Sequence, residues 1–226
     1  MPKPTFFNLP QEKQDRILVL AAAEFAAHSF DAASISKIAH QAKIAKGSFY
    51  QYFENKQDLY RSLVIVATEA KLEQLKALPA PDPDSDLFAY LKWQFLGTAV
   101  FEVRHPDLAG VLYRAFMEEH PFSQMTEELQ RRGTTQFFKQ LISQGIAHGE
   151  VAVWVDPDTA AFLMETLFYQ FGRYLLRRLD LEQAEDPGAR LQEDEMVDQV
   201  LHNLVDLLEA GMKRNPQQRN AYYPKG

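Results

Sequence analysis

Residues 34–53, SISKIAHQAKIAKGSFYQYF, leave this chain few ways to fold. Ser34 stands where a helix N-cap is wanted, and Ile35, Ile38 and Ala39 recur behind it at helical spacing. The run turns at Lys43-Ile44. A second short helix follows over about residues 45–52, with Phe49 and Phe53 four apart and facing inward with Ile38. Helices this short are marginal alone and need packing partners. A longer first helix, about residues 11–28, offers one through Ile17, Leu18, Ala21 and Phe25. Two short helices joined by a tight turn beneath a longer one form a helix-turn-helix pattern, whose second helix enters the major groove of DNA.

That geometry accounts for the aromatic-basic alternation of residues 45–60, AKGSFYQYFENKQDLY. With Phe49 and Phe53 inside, Lys46, Ser48, Tyr50 and Gln51 occupy the outer surface, and Tyr52 is expected outside with them. Gly47 would let the backbone approach a duplex closely. Lys ammonium and Tyr hydroxyl reach phosphate oxygens, while Gln can bond a base edge. A net charge of −7 argues against nucleic acid only until its distribution is read. Residues 1–61 carry eight Lys/Arg against six Asp/Glu, whereas residues 62–226 carry sixteen against twenty-five. A mildly basic head on an acidic body permits local contact with phosphates.

Along the rest of the chain, Asn55 caps a fourth helix running to about Leu78, with Asp58 in its first turn, where the helix dipole favours an anion. The PAPDPDSD stretch, residues 79–86, forms a loop. Helices are then expected over about 87–104, 106–119 and 123–148, the last closing at Gly149. Asp156 followed by Pro157 starts another helix, to about Leu179. A loop around EDPGARLQ leads to a final helix over about 192–213, and NPQQRNAYYPKG is a loose tail. The fold class is all-α with about nine helices: residues 1–55 form a helix-turn-helix DNA-binding head, and residues 56–226 a helical body.

Several chemistries lack their residues. With no Cys there is no disulfide framework, thiolate nucleophile or Cys-ligated zinc. The six His (28, 40, 105, 120, 148 and 202) never fall at i, i+3 or i, i+4 spacing, and Glu118-Glu119-His120 reads as a helix end in water. Lys46-Gly47-Ser48 lacks the upstream Gly and strand of a phosphate loop, and no G-x-S-x-G occurs. No enzyme, cofactor or metal is expected. The opening residues lack the apolar run of a signal peptide, and no apolar run reaches about 18 residues, so a cytoplasmic protein without a membrane span is the expectation.

AASISKIAHQAKIAKGSFYQYFENKQDLY also resembles the DNA-binding segment of the TetR-type (tetracycline-repressor-like) transcription regulators. Ser34, Ile35, Ile38, Ala39, Ala42, Gly47, Ser48, Phe49, Tyr50, Tyr52, Phe53, Asn55, Lys56 and Leu59 fit its pattern in order. Two positions depart from it. Lys43 stands where Gly is common in the turn, implying a positive φ at a cost of order 1 kcal/mol. Ala45 replaces the usual Ser or Thr cap, a loss of about 1 kcal/mol. The resemblance implies that Ser34, Ser36, Tyr52 and Lys56 contact phosphates, with Lys43 adding a cation near them, and that Lys46, Gly47, Ser48, Tyr50 and Gln51 enter the groove.

It further implies a ligand-binding and dimerising body, whose last two long helices pair with their copies. The apolar stripe Val197, Val200, Leu201, Leu204 and Leu208, with Phe162 and Tyr169 on the preceding helix, is the expected dimer interface. Aromatic density suggests a pocket for a small hydrophobic effector among Trp93, Phe101, Tyr113, Phe116, Phe137, Phe168, Tyr169 and Gln170. The expected function is a homodimeric, ligand-responsive transcriptional regulator, most often a repressor, that releases a palindromic double-stranded DNA operator when its effector binds. The competing expectation is an all-helical ligand-binding or protein-interaction module whose head does not bind DNA.

Overall fold

The computed structural model describes residues 2–81, 86–118, 131–180, 191 and 195–213. Among these residues every regular element is helical. In chain order they are α1 (Pro4–Phe7), α2 (Gln11–Ala27), α3 (Ile35–Gln41), α4 (Lys46–Tyr52), α5 (Lys56–Lys76), α6 (Leu87–Arg104), α7 (Pro106–Met117), α8 (Gln136–His148), α9 (Pro157–Arg178) and α10 (Glu195–Met212). A π-helical turn, Arg131–Thr135, leads into α8. The described residues thus hold ten α-helices where about nine were expected for the chain, and the added one, the four-residue α1, carries too short a pattern to be read from sequence. The loop around EDPGARLQ, the tail NPQQRNAYYPKG, and residues 123–130 of the helix expected over 123–148 lie outside the described residues.

Local chemistry sets the helix boundaries. Ser34 Oγ accepts the Lys37 amide at the start of α3. Asn55 Oδ1 accepts the Asp58 amide at the start of α5, while Asp58 Oδ2 accepts the Glu54 amide, a reciprocal pair that satisfies two orphan donors. Asp156 Oδ2 accepts the Thr159 amide and Pro157 opens α9. Gly149 ends α8 with φ 79°, a conformation that glycine adopts at no steric cost.

The chain divides into two compact units. One comprises residues 1–73 and 105–127; the other comprises 74–104 and 128–226. In the first, α2 packs against α7 so closely that a Cβ at Gly110 would stand 2.7 Å from the Ala26 methyl. Arg114 Nε donates to the Ala26 carbonyl at 2.9 Å and its NH1 reaches Glu118 at 2.6 Å, so this arginine closes the end of α2. Phe25, Phe30 and Tyr60 form an aromatic cluster, with the Phe25 and Tyr60 ring centres 4.9 Å apart.

In the second unit, α6, α8, α9 and α10 enclose one core built on Phe95, Phe138, Ile142, Met164, Phe168, Leu175, Val197 and Leu201. Most of the residues expected at a dimer interface lie in or against this core. Val197, Leu201 and Leu208 are buried within the protomer, as is Tyr169, while Val200 and Leu204 pack partly against the same core. The helix faces water instead through Met196 and Leu207, and α9 does so through Phe162, Leu163 and Tyr174. Of the interface residues expected from sequence, Phe162 is the one that is exposed, at 68%.

Candidate nucleic-acid interface and helical body

α3 ends in a Schellman turn: the Ile44 amide donates to the Ala39 carbonyl and the Lys43 amide to the His40 carbonyl. The residue between cap and exit must be left-handed, and Lys43 has φ 55°. The strained lysine expected at this turn is therefore present. Ala45 caps α4 with backbone geometry only and no side-chain hydrogen bond. Phe49 and Phe53 are fully buried, 5.3 Å apart. Lys46, Gly47, Tyr50 and Gln51 are exposed and Ser48 is half-exposed, so α4 presents those five residues together on its outer surface. A Cβ at Gly47 would meet nothing within 4 Å.

Tyr52 corrects the sequence reading. It is 8% exposed and lies edge-on to Phe6, with ring centres 6.3 Å apart. Residues 49, 52 and 53 are an i, i+3, i+4 set, so all three rings fall on one inward face. Lys56 is half-buried, and its ammonium donates to the carbonyls of Asp31 (3.0 Å) and Ala33 (2.9 Å) while lying 4.8 Å over the Phe30 ring. Its visible work is to close the 29–34 loop onto α5. Ser36 and Lys43 are exposed on the α3 side. Ser34 is half-buried, and its oxygen serves as cap while its hydroxyl hydrogen remains available for another acceptor.

α3 is held by a buried carboxylate that the sequence reading did not single out. Glu24, 4% exposed on α2, accepts the Ser34 amide at 3.0 Å and the Lys37 ammonium at 2.6 Å, with His28 Nε2 3.9 Å away. Burial alone would raise its pKa, but the lysine and the amide more than offset that and hold it below the ordinary glutamate value. The signal available in sequence was a lone Glu inside the otherwise apolar run AAAEFAA.

Of the effector residues expected from sequence, Trp93, Phe101, Phe137, Phe168, Tyr169 and Gln170 lie in the second unit, whereas Tyr113 and Phe116 sit on α7 in the first. A chain of ring contacts links four of them: Trp93 to Tyr90 (5.3 Å), Tyr90 to Phe137 (6.2 Å), Phe137 to Phe138 (5.3 Å), Phe138 to Phe168 (5.5 Å) and Phe168 to Tyr169 (6.0 Å). Burial pushes the Tyr169 phenol well above its usual pKa, and its hydroxyl lies 3.1 Å from Thr134 Oγ1. Gln74 Nε2, Trp93 Nε1 and Thr98 Oγ1 are buried in this unit without a hydrogen-bond partner among the described residues. Arg104 NH1 donates to Gln74 Oε1 at 3.2 Å. Gln74 and Thr98 were not anticipated, since a single polar residue in an apolar helix carries no periodic signal. Among the described residues no group of His, Asp or Glu is placed to hold a metal, and no helix is long and apolar enough to cross a membrane.

A helix-turn-helix with an exposed polar reading face, followed by a helical body, defines a class of DNA-binding regulators. Residues 17–63 match the family model of the bacterial regulatory proteins of the tetR family, and residues 85–213 match the tetracyclin repressor-like C-terminal domain. The chain belongs to the TetR family of transcription regulators. A solved TetR family regulator from Chloroflexus aurantiacus J-10-FL is 38% identical, with a TM-score of 0.79 over 95% of this chain and all of that one. The HTH-type transcriptional repressor SCO4008 of Streptomyces coelicolor is 32% identical over 109 residues, 48% of this chain. The match spans about half that repressor's length, at 52%. The fold is also that of the regulator FadR of Bacillus subtilis, solved in complex with stearoyl-CoA, at 19% identity and a TM-score of 0.62 over 88% of this chain and 98% of that one.

Proposed function

We propose that the chain is an effector-responsive repressor that reads a palindromic operator as a homodimer, with residues 1–55 as reading head and residues 56–226 as the effector and dimerisation body. The observation that carries the DNA reading is the outer face of α4. A glycine inside a helix costs about 1 kcal/mol relative to alanine, and nothing in the fold asks for it at Gly47, where a side chain would have room. The cost has a purpose if another backbone must come close there. In this reading Lys46, Gly47, Ser48, Tyr50 and Gln51 enter the groove, and Ser34, Ser36 and Lys43 meet the flanking phosphates. Tyr52 and Lys56 support the head from within.

In the body, the aromatic chain from Trp93 to Tyr169 supports a hydrophobic effector. Gln74 Nε2 and Trp93 Nε1 can only donate hydrogen bonds, so an effector that meets either must offer an acceptor oxygen. A fatty acyl thioester has that chemistry, and stearoyl-CoA is a suitable first probe. α5 contributes residues to both compact units, Lys56–Glu73 to one and Gln74–Lys76 to the other, which makes it the natural lever between effector and head. A preference of about 3 kcal/mol for the DNA-releasing state lowers operator affinity roughly a hundredfold.

Selection from random duplex DNA with purified protein, followed by salt titration of the winning duplex, tests the reading. The expected product is an inverted repeat with half-sites about one helical turn apart and a steep loss of affinity with salt. Lys46→Ala and Tyr50→Ala should each weaken operator binding by about 1–3 kcal/mol with unchanged thermal stability. Folded, dimeric protein that enriches no duplex, with or without stripping of bound ligand, would favour the interaction-module alternative.

A further inference from the structure

We propose that the segment Pro2–Phe7 is a strap that positions the DNA-reading helix, with Lys3, Thr5 and Phe6 as its positioning residues. The proposal rests on the DNA reading of α4 given above. α4 has seven residues and no side-chain N-cap, so its own contribution to its stability is small. Its last four carbonyls nevertheless all have partners. The Phe49 carbonyl accepts the Phe53 amide at 2.9 Å. The Tyr50 carbonyl accepts Lys3 Nζ at 2.8 Å, the Gln51 carbonyl accepts Thr5 Oγ1, and the Tyr52 carbonyl accepts the Lys3 amide at 2.8 Å.

Three of the four partners thus come from residues more than 45 positions away in sequence. The Lys3 ammonium also sits where the negative end of the α4 dipole favours a cation. Phe6, 2% exposed, anchors the strap by packing on Phe53 at 5.1 Å and Tyr52 at 6.3 Å. Pro4 opens α1 behind an extended Lys3, which turns the Phe6 ring inward while Lys3 and Thr5 stay at the rim. The strap touches the very residues whose backbone carries Tyr50 and Gln51, so its loss is felt as misplacement of those side chains rather than as a missing DNA contact.

The test uses the full-length Lys3→Met/Thr5→Val double variant, which removes two carbonyl partners and keeps the Phe6 anchor. Hydrogen exchange of the α4 amides should accelerate roughly tenfold, with exchange in α9 and α10 unchanged. Affinity for the duplex selected by wild-type protein should fall severalfold with the same salt slope, and Lys3→Arg in place of Lys3→Met should restore most of both. Phe6→Ala should have the larger effect on α4 exchange. Unchanged α4 exchange in the double variant would overturn the strap. So would a salt slope reduced by about one, because Lys3 would then be a phosphate ligand in its own right. If wild-type protein binds no duplex, the DNA reading fails by itself, and the exchange data still decide whether the segment orders α4.

Discussion

At Lys43 a backbone strain stands against the phosphate contact proposed for its side chain. Its φ of 55° costs an L-residue about 1–2 kcal/mol relative to the right-handed region. Glycine would relieve that strain but lose more chain entropy on folding, which returns roughly 0.4–1 kcal/mol of it. Lys43→Gly should therefore stabilise the protein by about 0.5–1 kcal/mol, a rise in melting temperature of about 1–4 °C for a chain of this size. If the lysine is there for its charge, the same variant should bind its operator more weakly, with a salt slope smaller by about one. Calorimetry and a salt series on one preparation check both halves. A variant that is more stable and binds equally well would remove Lys43 from the phosphate contacts.

At the level of elements, Glu24 joins α2 to α3, and its titration ties the reading head to pH. The folded carboxyl ionises below the ordinary glutamate range, so its stabilisation is fully present above about pH 5 and is lost as pH falls through the lowered pKa. Amide exchange in α3 should accelerate on acidification within about pH 3–5, and Glu24→Gln should abolish most of that dependence while weakening α3 at neutral pH. A wild-type α3 whose protection is flat across that range would remove Glu24 as the clasp. Elements like this mark how far the sequence could be read. Caps at Ser34, Asn55 and Asp156 and the glycine stop at Gly149 were legible because they depend on neighbours within about four residues. The α1–α4 strap was not, because its hydrogen bonds join positions 3 and 5 to positions 50–52 and a four-residue helix has no period to detect. In α10 the period was visible but its inward direction was not. Val197, Leu201 and Leu208 form one apolar stripe and Met196 and Leu207 fall outside it, so helical spacing alone cannot say which meets the protomer's own core. Tyr52 went astray differently: its spacing from Phe49 placed it inside, and its hydroxyl argued it out.

For the whole molecule, an inverted-repeat operator needs two heads, and the surface that joins two chains must be one the protomer core leaves uncovered. We propose that the exposed apolar residues of the second unit supply it. Leu207 is 73% and Phe162 68% exposed, and an apolar groove of about 400 Å³ nearby is lined by Trp154, Leu163, Leu207 and Leu208. Apolar side chains at that exposure are costly in a monomer and become favourable in an interface core. Because they contribute little to the protomer, Phe162→Asp or Leu207→Asp should leave helix content and effector binding nearly unchanged, yet place two carboxylates against apolar surface in a symmetric pair. Sedimentation should then show a monomer. A single head loses the effective concentration that its partner provides, so operator affinity should fall by roughly 10²–10⁴. The salt slope should drop to about half, since half the phosphates are neutralised. Either variant remaining dimeric, or a monomer that binds the full operator as tightly as wild type, would show that the chains do not pair through this face.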